Sequence, residues 1–401
     1  MKKKVLIVCH SYPPNPGVGG RRWAIFTKYL CELGVEVHIL TKRPLKIVNS
    51  PWLSYTQGAF LHYYKNKYPS ILEKVPKSVL QKLSYKIALA ITKLLSFSNY
   101  YDRGVFSQDI ILNKINSILK THKINNIIVS GAPFSFLYYG SILKIKCNNV
   151  NFIADIRDSW LKGNYFGFAS LSARRKEVEL QRLKQVLKCA DKVLVPYPEM
   201  KLDYSNLNNL CDIELLPHAV DDEQIIPKEC VKKFGLGSLS IVNFGTQYRG
   251  LQDIMKSLGL AAMKSNIIID FYTSDYQYKK VFENNNNINF KKIVPQSEVF
   301  QILSKSQAAL FFVNEDIKNY ISTKYIETIA CRTPIVLVGK EGDVSKFVVD
   351  NKLGVFVRDT EIHKGFDELR INLEKLDYND SFDFSELTFN KQALRVLGLL
   401  R

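Results

Sequence analysis

At 401 residues the chain is longer than one ordinary core requires, and two or three domains are expected. Hydrophobic residues at 46% and charged residues at 23% exclude a disordered chain, and no apolar run approaches the ~20 residues of a bilayer span. The net charge of +18 calls for an acidic substrate, an anionic membrane surface or nucleic acid, or else is solvated surface. The lysines are spread along the whole chain without a nucleic-acid motif, so no nucleic-acid partner is expected.

The chain opens on Met1-Lys2-Lys3-Lys4 and the apolar run Val5–Cys9, which mimics a signal peptide. The run stops at His10, short of the ~7–15 residues of a secretory apolar region, and reads as a first β-strand of a cytoplasmic protein. The turn that follows carries Gly17, Gly19 and Gly20 ahead of Arg21 and Arg22. Glycines let a backbone approach a phosphate, and the next helix offers its N-terminus, although an ordinary glycine turn looks the same. The spacing is not G-x-G-x-x-G, and the second strand, Val35–Thr41, ends in Lys42-Arg43 without an acid for a ribose, which argues against a nicotinamide cofactor.

Residues 76–95 follow a helical period. Leu80, Leu83, Ile87, Ile91 and Leu94 form one apolar face, with Lys82, Lys86 and Lys93 along its edge. This is the layout of an interfacial membrane helix, and equally of a helix docked on its own domain. Four further strands are predicted at Asn126–Ser130, Phe152–Asp155, Lys192–Pro196 and Ile213–Pro217. The turn Gly131-Ala132-Pro133-Phe134-Ser135 follows the first of these. Asp155-Ile156-Arg157-Asp158-Ser159-Trp160 leaves the next, placing Asp155, Arg157 and Asp158 where they would line a cleft as catalytic groups, or form a structural Asp–Arg bridge.

The polar segment 222–238 reads as a linker between a first domain, 1–221, and a second, 239–385. Six more strands are predicted in the second half: Ser240–Phe244, Ile267–Tyr272, Ile288–Ile293, Ala308–Val313, Pro334–Val338 and Gly354–Val357. Short β-branched runs alternating with helix-length segments imply two Rossmann-like α/β domains with parallel sheets, facing across a cleft, with ligands beyond the carboxyl ends of the strands. The first strand of the second domain ends in Gly245-Thr246-Gln247-Tyr248-Arg249, and Arg249 can bond a diphosphate or stand exposed at a helix start. Near the end, Ser322-Thr323-Lys324-Tyr325-Ile326-Glu327 starts a helix before the apolar run Ile335–Val338. Its free amides and dipole suit a diphosphate, and Glu327, one turn in, can accept ribose hydroxyls, which suggests a nucleotide-sugar site. Residues 386–401 form a short terminal helix, placed to cross back to the first domain. The seven cysteines are scattered without a C-x-x-C pair, and the six histidines show no ligand spacing, so neither a disulfide framework nor a metal site is expected.

Taken together, VLIVCHSYPPNPGVGGRRW, SGAPFS, IADIRDSW, ADKVLVPYPEM, LPHAVDD, NFGTQYRG and STKYIETIACRTPIVLV resemble, in order and spacing, the GT-B glycosyltransferases, and within them glycosyltransferase family 4. The resemblance spans most of the chain and is weakest at 44–120 and 358–388. It implies retaining transfer of a sugar from a nucleotide-sugar, with no cofactor and no required metal. It places Gly19 and Gly20 under the donor phosphates or the acceptor, Arg249 as the diphosphate cation with Thr246 in the same turn, and Ser322, Thr323 and Lys324 at the phosphates. Glu327 would hold the ribose. Asn319 stands where the family often has an acid, eight positions before Glu327, and Arg157 where many members carry a histidine.

The expected protein is therefore a cytoplasmic glycosyltransferase, peripheral on the inner face of the cell membrane. It would act on a glycan or lipid-linked glycan in polysaccharide biosynthesis. A nucleotide-sugar epimerase of the same fold and a non-catalytic nucleotide-sugar-binding subunit are the alternatives.

Overall fold

A computed structural model of the chain describes residues 2–15, 18–44, 50–162, 166–226, 237–245, 247 and 250–401. They fall into two compact units, Met1–Pro217 with Phe389–Arg401, and His218–Thr388. The change of unit at residue 217 precedes the predicted linker, most of which (227–236) lies outside the described residues.

The strands of the first unit are β1 (Lys4–Val8), β2 (Glu36–Lys42), β3 (Phe60–Tyr64), β4 (Asn126–Gly131), β5 (Asn151–Ile156), β6 (Lys192–Val195) and β7 (Ile213–Leu215). Its helices are α1 (Arg21–Glu32), α2 (Val79–Leu95), α3 (Gln108–His122), α4 (Phe134–Lys146), α5 (Ala173–Cys189) and α6 (Pro198–Leu207). The sheet is parallel throughout, in the order β3-β2-β1-β4-β5-β6-β7. Every residue of β4 and β5 is buried, which requires cover on both faces. The sequence predicts six strands here and the sheet has seven. The missed strand, Phe60-Leu61-His62-Tyr63-Tyr64, has no β-branched residue and is half-buried at the sheet edge, so its period is weak.

The second unit comprises β8 (Leu239–Phe244), α7 (Gln252–Lys264), β9 (Ile267–Tyr272), β10 (Ile288–Lys291), α8 (Gln296–Lys305), β11 (Ala308–Val313), α9 (Thr323–Ala330), β12 (Ile335–Gly339), α10 (Asp343–Asp350), β13 (Gly354–Arg358), α11 (Ile362–Asp367) and α12 (Leu369–Glu374). Its parallel sheet runs β10-β9-β8-β11-β12-β13. Neighbouring residues of one strand enter opposite core layers: Ala308, Leu310 and Phe312 one, Ala309, Phe311 and Val313 the other. Period-two side chains thus fill both faces of a doubly covered sheet.

The last helix, α13 (Phe389–Leu399), belongs to the first unit and packs on α1, where Phe389 meets Phe26 edge to face at 5.1 Å. Its exit is stitched to the amino end of the sheet by buried amides. Asn126 Nδ2 donates to the carbonyls of Lys4 (2.9 Å) and Arg401 (3.1 Å), while its Oδ1 accepts from Asn151 Nδ2 (2.9 Å) and the Arg401 amide (2.8 Å).

Helix α2 is set apart by what it exposes. Its start is a capping box, Ser78 accepting from the Gln81 amide and Gln81 reaching back to the Ser78 amide. Its end is held by Arg175, whose guanidinium donates to the carbonyls of Lys93, Ser96 and Ser98. Between these anchors Thr92 is the one buried residue of the helix. At 100° per residue Thr92 points opposite the apolar stripe. Leu80 and Leu94 are accordingly about four-fifths exposed (77% and 81%), and Leu83, Ile87 and Ile91 half exposed. The expectation of a helix docked through this face does not hold.

The structure also brings together His38, His62 and His122, which lie far apart along the sequence. The histidines show no ligand spacing along the sequence, and only the fold brings these three together.

Asn126→Ala is expected to lower unfolding free energy by about 1–3 kcal/mol, because it strips partners from buried backbone groups. The check is a fall in the denaturant midpoint at constant slope. An unchanged midpoint would mean that the 399–401 segment is not a constraint on the sheet.

Candidate functional site

In a doubly wound sheet, ligands bind beyond the carboxyl ends where strand order reverses. In the second unit that point lies between β8 and β11. β8 runs out into Phe244-Gly245, and the connection after β11 runs to α9. The two exits touch. Lys324, in the first turn of α9, donates from Nζ to the Phe244 carbonyl at 3.2 Å. Gly245 has φ +97, and a Cβ there would sit 2.6 Å from Lys324 Nζ. Glycine is favoured here by its backbone angle, and a side chain would in addition push the flexible end of Lys324 aside. Desolvation lowers the Lys324 pKa against the opposing pull of Glu327, although the side chain reaches solvent, which limits the effect.

Ser322 stands at the N-cap of α9 with extended backbone but makes no side-chain cap, so the first-turn amides, beginning at Thr323, are not capped by its hydroxyl. One turn in, Glu327 is half-buried and accepts from Gln296 Nε2 of α8 at 2.8 Å. The carboxylate is held in place by a neutral donor. The β8 exit has its own brace: Asn243 Nδ2 donates to the Leu310 carbonyl across to β11, and Gln247 Nε2 donates to Asn243 Oδ1 (2.6 Å) and the Gly245 carbonyl (3.2 Å). Thr246 and Arg249, the predicted phosphate-binding partners in this turn, lie outside the described residues. Lys324 is the cation that the described residues place at this turn. Asn319, the departure from the family pattern, accepts from the Asp343 amide at 3.1 Å and so serves the start of α10.

Sequence reasoning gave no role to Gln296 or Asn243. Gln296 stands in no motif, Asn243 opens NFGTQYRG, and each acts through a partner on another element.

In the first unit the order reverses between β1 and β4. Asp155 ends up inside the sheet at 1% exposure. Its Oδ2 accepts from Trp23 Nε1 and Ser130 Oγ, both at 2.7 Å, and Arg22 Nε stands 3.9 Å from Oδ1. That surrounding corrects the catalytic expectation: the carboxylate locks α1 to β4 and β5 and has no surface for a substrate. Arg157 is a strut between two turns, donating from Nε to the Gly131 carbonyl (3.1 Å) and from Nη1 to the Gly19 carbonyl (2.6 Å). Gly20 has a local reason, since a Cβ would lie 2.7 Å from the Ser11 carbonyl oxygen and Tyr12 Cα, whereas Gly19 would meet only Ser11 Cβ at an ordinary 3.5 Å. Asp158 alone of the three predicted charges is exposed. Desolvation raises its carboxyl pKa, Arg157 lowers it and Asp155 raises it, with exposure again limiting the shift.

Beyond β1 stands a cluster the sequence reading passed over. His10, 3% exposed, has Nδ1 2.8 Å from the Tyr64 hydroxyl and Nε2 3.7 Å from Glu73 Oε1. Lys42 Nζ pairs with both oxygens of Glu73, at 2.9 and 3.1 Å. Burial lowers the His10 pKa, so the ring is neutral near pH 7. The signal was present, as His10 is the first histidine beyond an apolar strand, but Tyr64 sits on the missed strand and Glu73 in a segment without period.

Solved structures share this architecture, the GT-B fold. A sucrose-phosphate synthase from Thermosynechococcus elongatus is 13% identical with a TM-score of 0.65, over 99% of this chain and 98% of that one. HepE of Anabaena, solved with UDP and glucose, is 12% identical with a TM-score of 0.60, over 99% of both chains. A UDP-N-acetylglucosamine 2-epimerase is 9% identical with a TM-score of 0.54, over 99% of this chain and 95% of that one. No protein-family model and no curated protein matches the sequence. The structural neighbours are thus GT-B glycosyltransferases and an epimerase of the same fold, and at these identities the likeness is one of fold.

Glu73 gives the first unit a specific acid sensitivity. Burial would raise its carboxyl pKa, but the facing His10 ring and the hydrogen bonds from Lys42 outweigh this and hold it at about 2, against 4.5 for the free group. A depressed folded pKa stabilises above the unfolded value and is lost as pH falls through the folded one. Glu73→Gln should therefore flatten the stability profile between pH 4.5 and 2 while mattering little to its slope above pH 5. Identical acid-unfolding curves for the two proteins would remove the pairing as a stabilising feature.

Proposed function

We propose that the chain is a retaining glycosyltransferase, akin to glycosyltransferase family 4, that moves a sugar from a nucleotide-sugar to a glycan or lipid-linked glycan acceptor. One observation carries this reading: at the reversal point of the second unit, Gly245, the Lys324 ammonium and the start of α9, which the Ser322 hydroxyl does not cap, converge, with Glu327 one turn along. This is a seat for a diphosphate followed by a ribose. That HepE was solved with UDP-glucose is consistent with it.

The mechanism follows from where charge develops. As the anomeric bond breaks, the leaving diphosphate gains negative charge, and Lys324 with the α9 amides stabilises it there. Arg249 adds a second cation, and the reaction needs no metal and no cofactor. Gln296 keeps Glu327 turned toward the ribose hydroxyls. The role of orienting the acceptor hydroxyl passes from Asp155, which is enclosed, to Asp158.

Helix α2 supplies the reading of where the protein works. No helix of the described residues is long and apolar enough to cross a membrane. The outward stripe of α2 carries Lys82, Lys86 and Lys93 on its flank, all exposed, and the helix has no acidic residue. Apolar side chains can enter the acyl boundary while the lysines meet anionic headgroups, a peripheral attachment to the inner face of the membrane. A protein partner would have to match an apolar stripe bordered by positive charge alone, and an anionic bilayer does so without a shaped surface.

The deciding assay measures free nucleotide released by the purified chain from a panel of nucleotide-sugars, with and without glycan acceptors. Acceptor-dependent release supports transfer. The similarity to an epimerase keeps one second reading, and an altered sugar or release without acceptor would favour it. Glu327→Ala should weaken nucleotide binding by roughly 1.5–3 kcal/mol, the value of hydrogen bonds to a charged group. Calorimetry showing unchanged affinity in a folded variant would count against the ribose assignment. Changing Lys82, Lys86 and Lys93 together to Glu should abolish sedimentation with anionic vesicles at low salt, each lysine contributing about 1 kcal/mol near the surface. Equal sedimentation of variant and parent would place any membrane contact elsewhere.

A further inference from the structure

Three imidazoles meet on the outer edge of the first unit. His38 is the third residue of β2, His62 the middle residue of β3, and His122 the last residue of α3. One potential ligand nitrogen from each lies within 4.8 Å of the others. His38 Nδ1 and His62 Nε2 are 3.0 Å apart, and the His122 ring centroid is 4.3 Å from that of His38. Four-coordinate zinc, with Zn–N near 2.0–2.1 Å, holds its ligand nitrogens ~3.3–3.4 Å apart. A small adjustment of the rings would admit an ion. The outer partner is also in place, since His38 Nε2 lies 3.1 Å from Glu36 Oε1, and Glu36 is itself paired with Lys4 at 3.0 Å. A carboxylate on the far nitrogen of a ligating histidine fixes its tautomer and raises its basicity.

We infer that His38, His62 and His122 bind one divalent ion of the zinc class, with Glu36 orienting His38 and the fourth position left to water. Two ligands sit on adjacent, hydrogen-bonded strands, so their separation is fixed by the sheet, and the third closes from the end of a helix. All three are imidazoles, the donor set that suits zinc, nickel and copper over magnesium and calcium. The site lies away from the carboxyl ends of β1 and β4, where strand order reverses in the first unit. His38 is near the start of β2, and α3 ends just before β4 begins. Its role is to clamp β2, β3 and α3 together, apart from sugar transfer.

The test uses the full, untagged chain, stripped with a chelator and titrated with Zn²⁺ by calorimetry, and with Co²⁺ for its visible absorption. The expected result is one ion per chain, a tetrahedral Co²⁺ spectrum, a raised melting temperature with Zn²⁺, and none of these with Mg²⁺. His62→Gln and His122→Gln should each weaken Zn²⁺ binding at least about tenfold, and Glu36→Gln about 10–100-fold without abolishing it. His122 is half-exposed at a helix end, so His122→Gln decides the matter even if His62→Gln does not fold. Absence of Zn²⁺ uptake by the parent chain, or uptake unchanged in His122→Gln, would overturn the site and leave the three rings as a hydrogen-bonded and stacked cluster.

Discussion

A parallel sheet covered on both faces has no surface of its own on which to do chemistry. In both units every strand runs parallel to its neighbours, and β4, β5, β11 and β12 are buried throughout. Polar groups can meet a ligand only at the strand ends, and the point where strand order reverses is where two exits diverge and leave a crevice. This constraint explains why the residues of interest are so few and so local. In the second unit they are the run-out of β8 and the start of α9. In the first they are the turns after β1, β4 and β5, tied together by Arg157 and, from inside, by Asp155.

The electrostatics of the second unit follow from the same geometry. Backbone amides of a helix start carry partial positive charge at a fixed place, and Lys324 adds a full charge in the same turn. The ammonium rests on a backbone carbonyl and beside a glycine, so it is positioned before any ligand arrives. Preorganised charge of this kind needs little reorganisation when negative charge develops beside it, and the proposed function draws on that property. Glu327, held by Gln296, is likewise positioned before any ligand arrives.

Much of the architecture was legible in the sequence because short continuous apolar runs such as Ala308–Val313 and Ile335–Gly339 suit a strand buried on both faces and are too brief for a buried helix. The missed strand was an edge strand of aromatics, where half-burial blurs the period. The start of α9 at Ser322-Thr323 was legible because helix-start chemistry is local. Asp155 was misread for the opposite reason. An acid at the end of a strand looks the same in sequence whether it faces solvent or is closed over by Trp23 and Ser130, residues 132 and 25 positions away. The histidine cluster could not be read at all, since His38, His62 and His122 share no spacing and are joined only by strand pairing and a helix end.

The exposed stripe of α2 has a practical consequence for anyone handling the protein. In a lipid-free buffer its leucines and isoleucines have only water to face, and contiguous patches of this sort drive self-association. The flanking lysines oppose that pairing by mutual repulsion, and they do so only while the repulsion is unscreened. Raising the ionic strength, the usual remedy for a sticky basic protein, shortens the screening length from about 10 Å at 0.1 M to about 3 Å at 1 M and removes the barrier. For this chain low salt with a mild detergent is the condition expected to keep it dispersed, and high salt the one expected to bring the helices together.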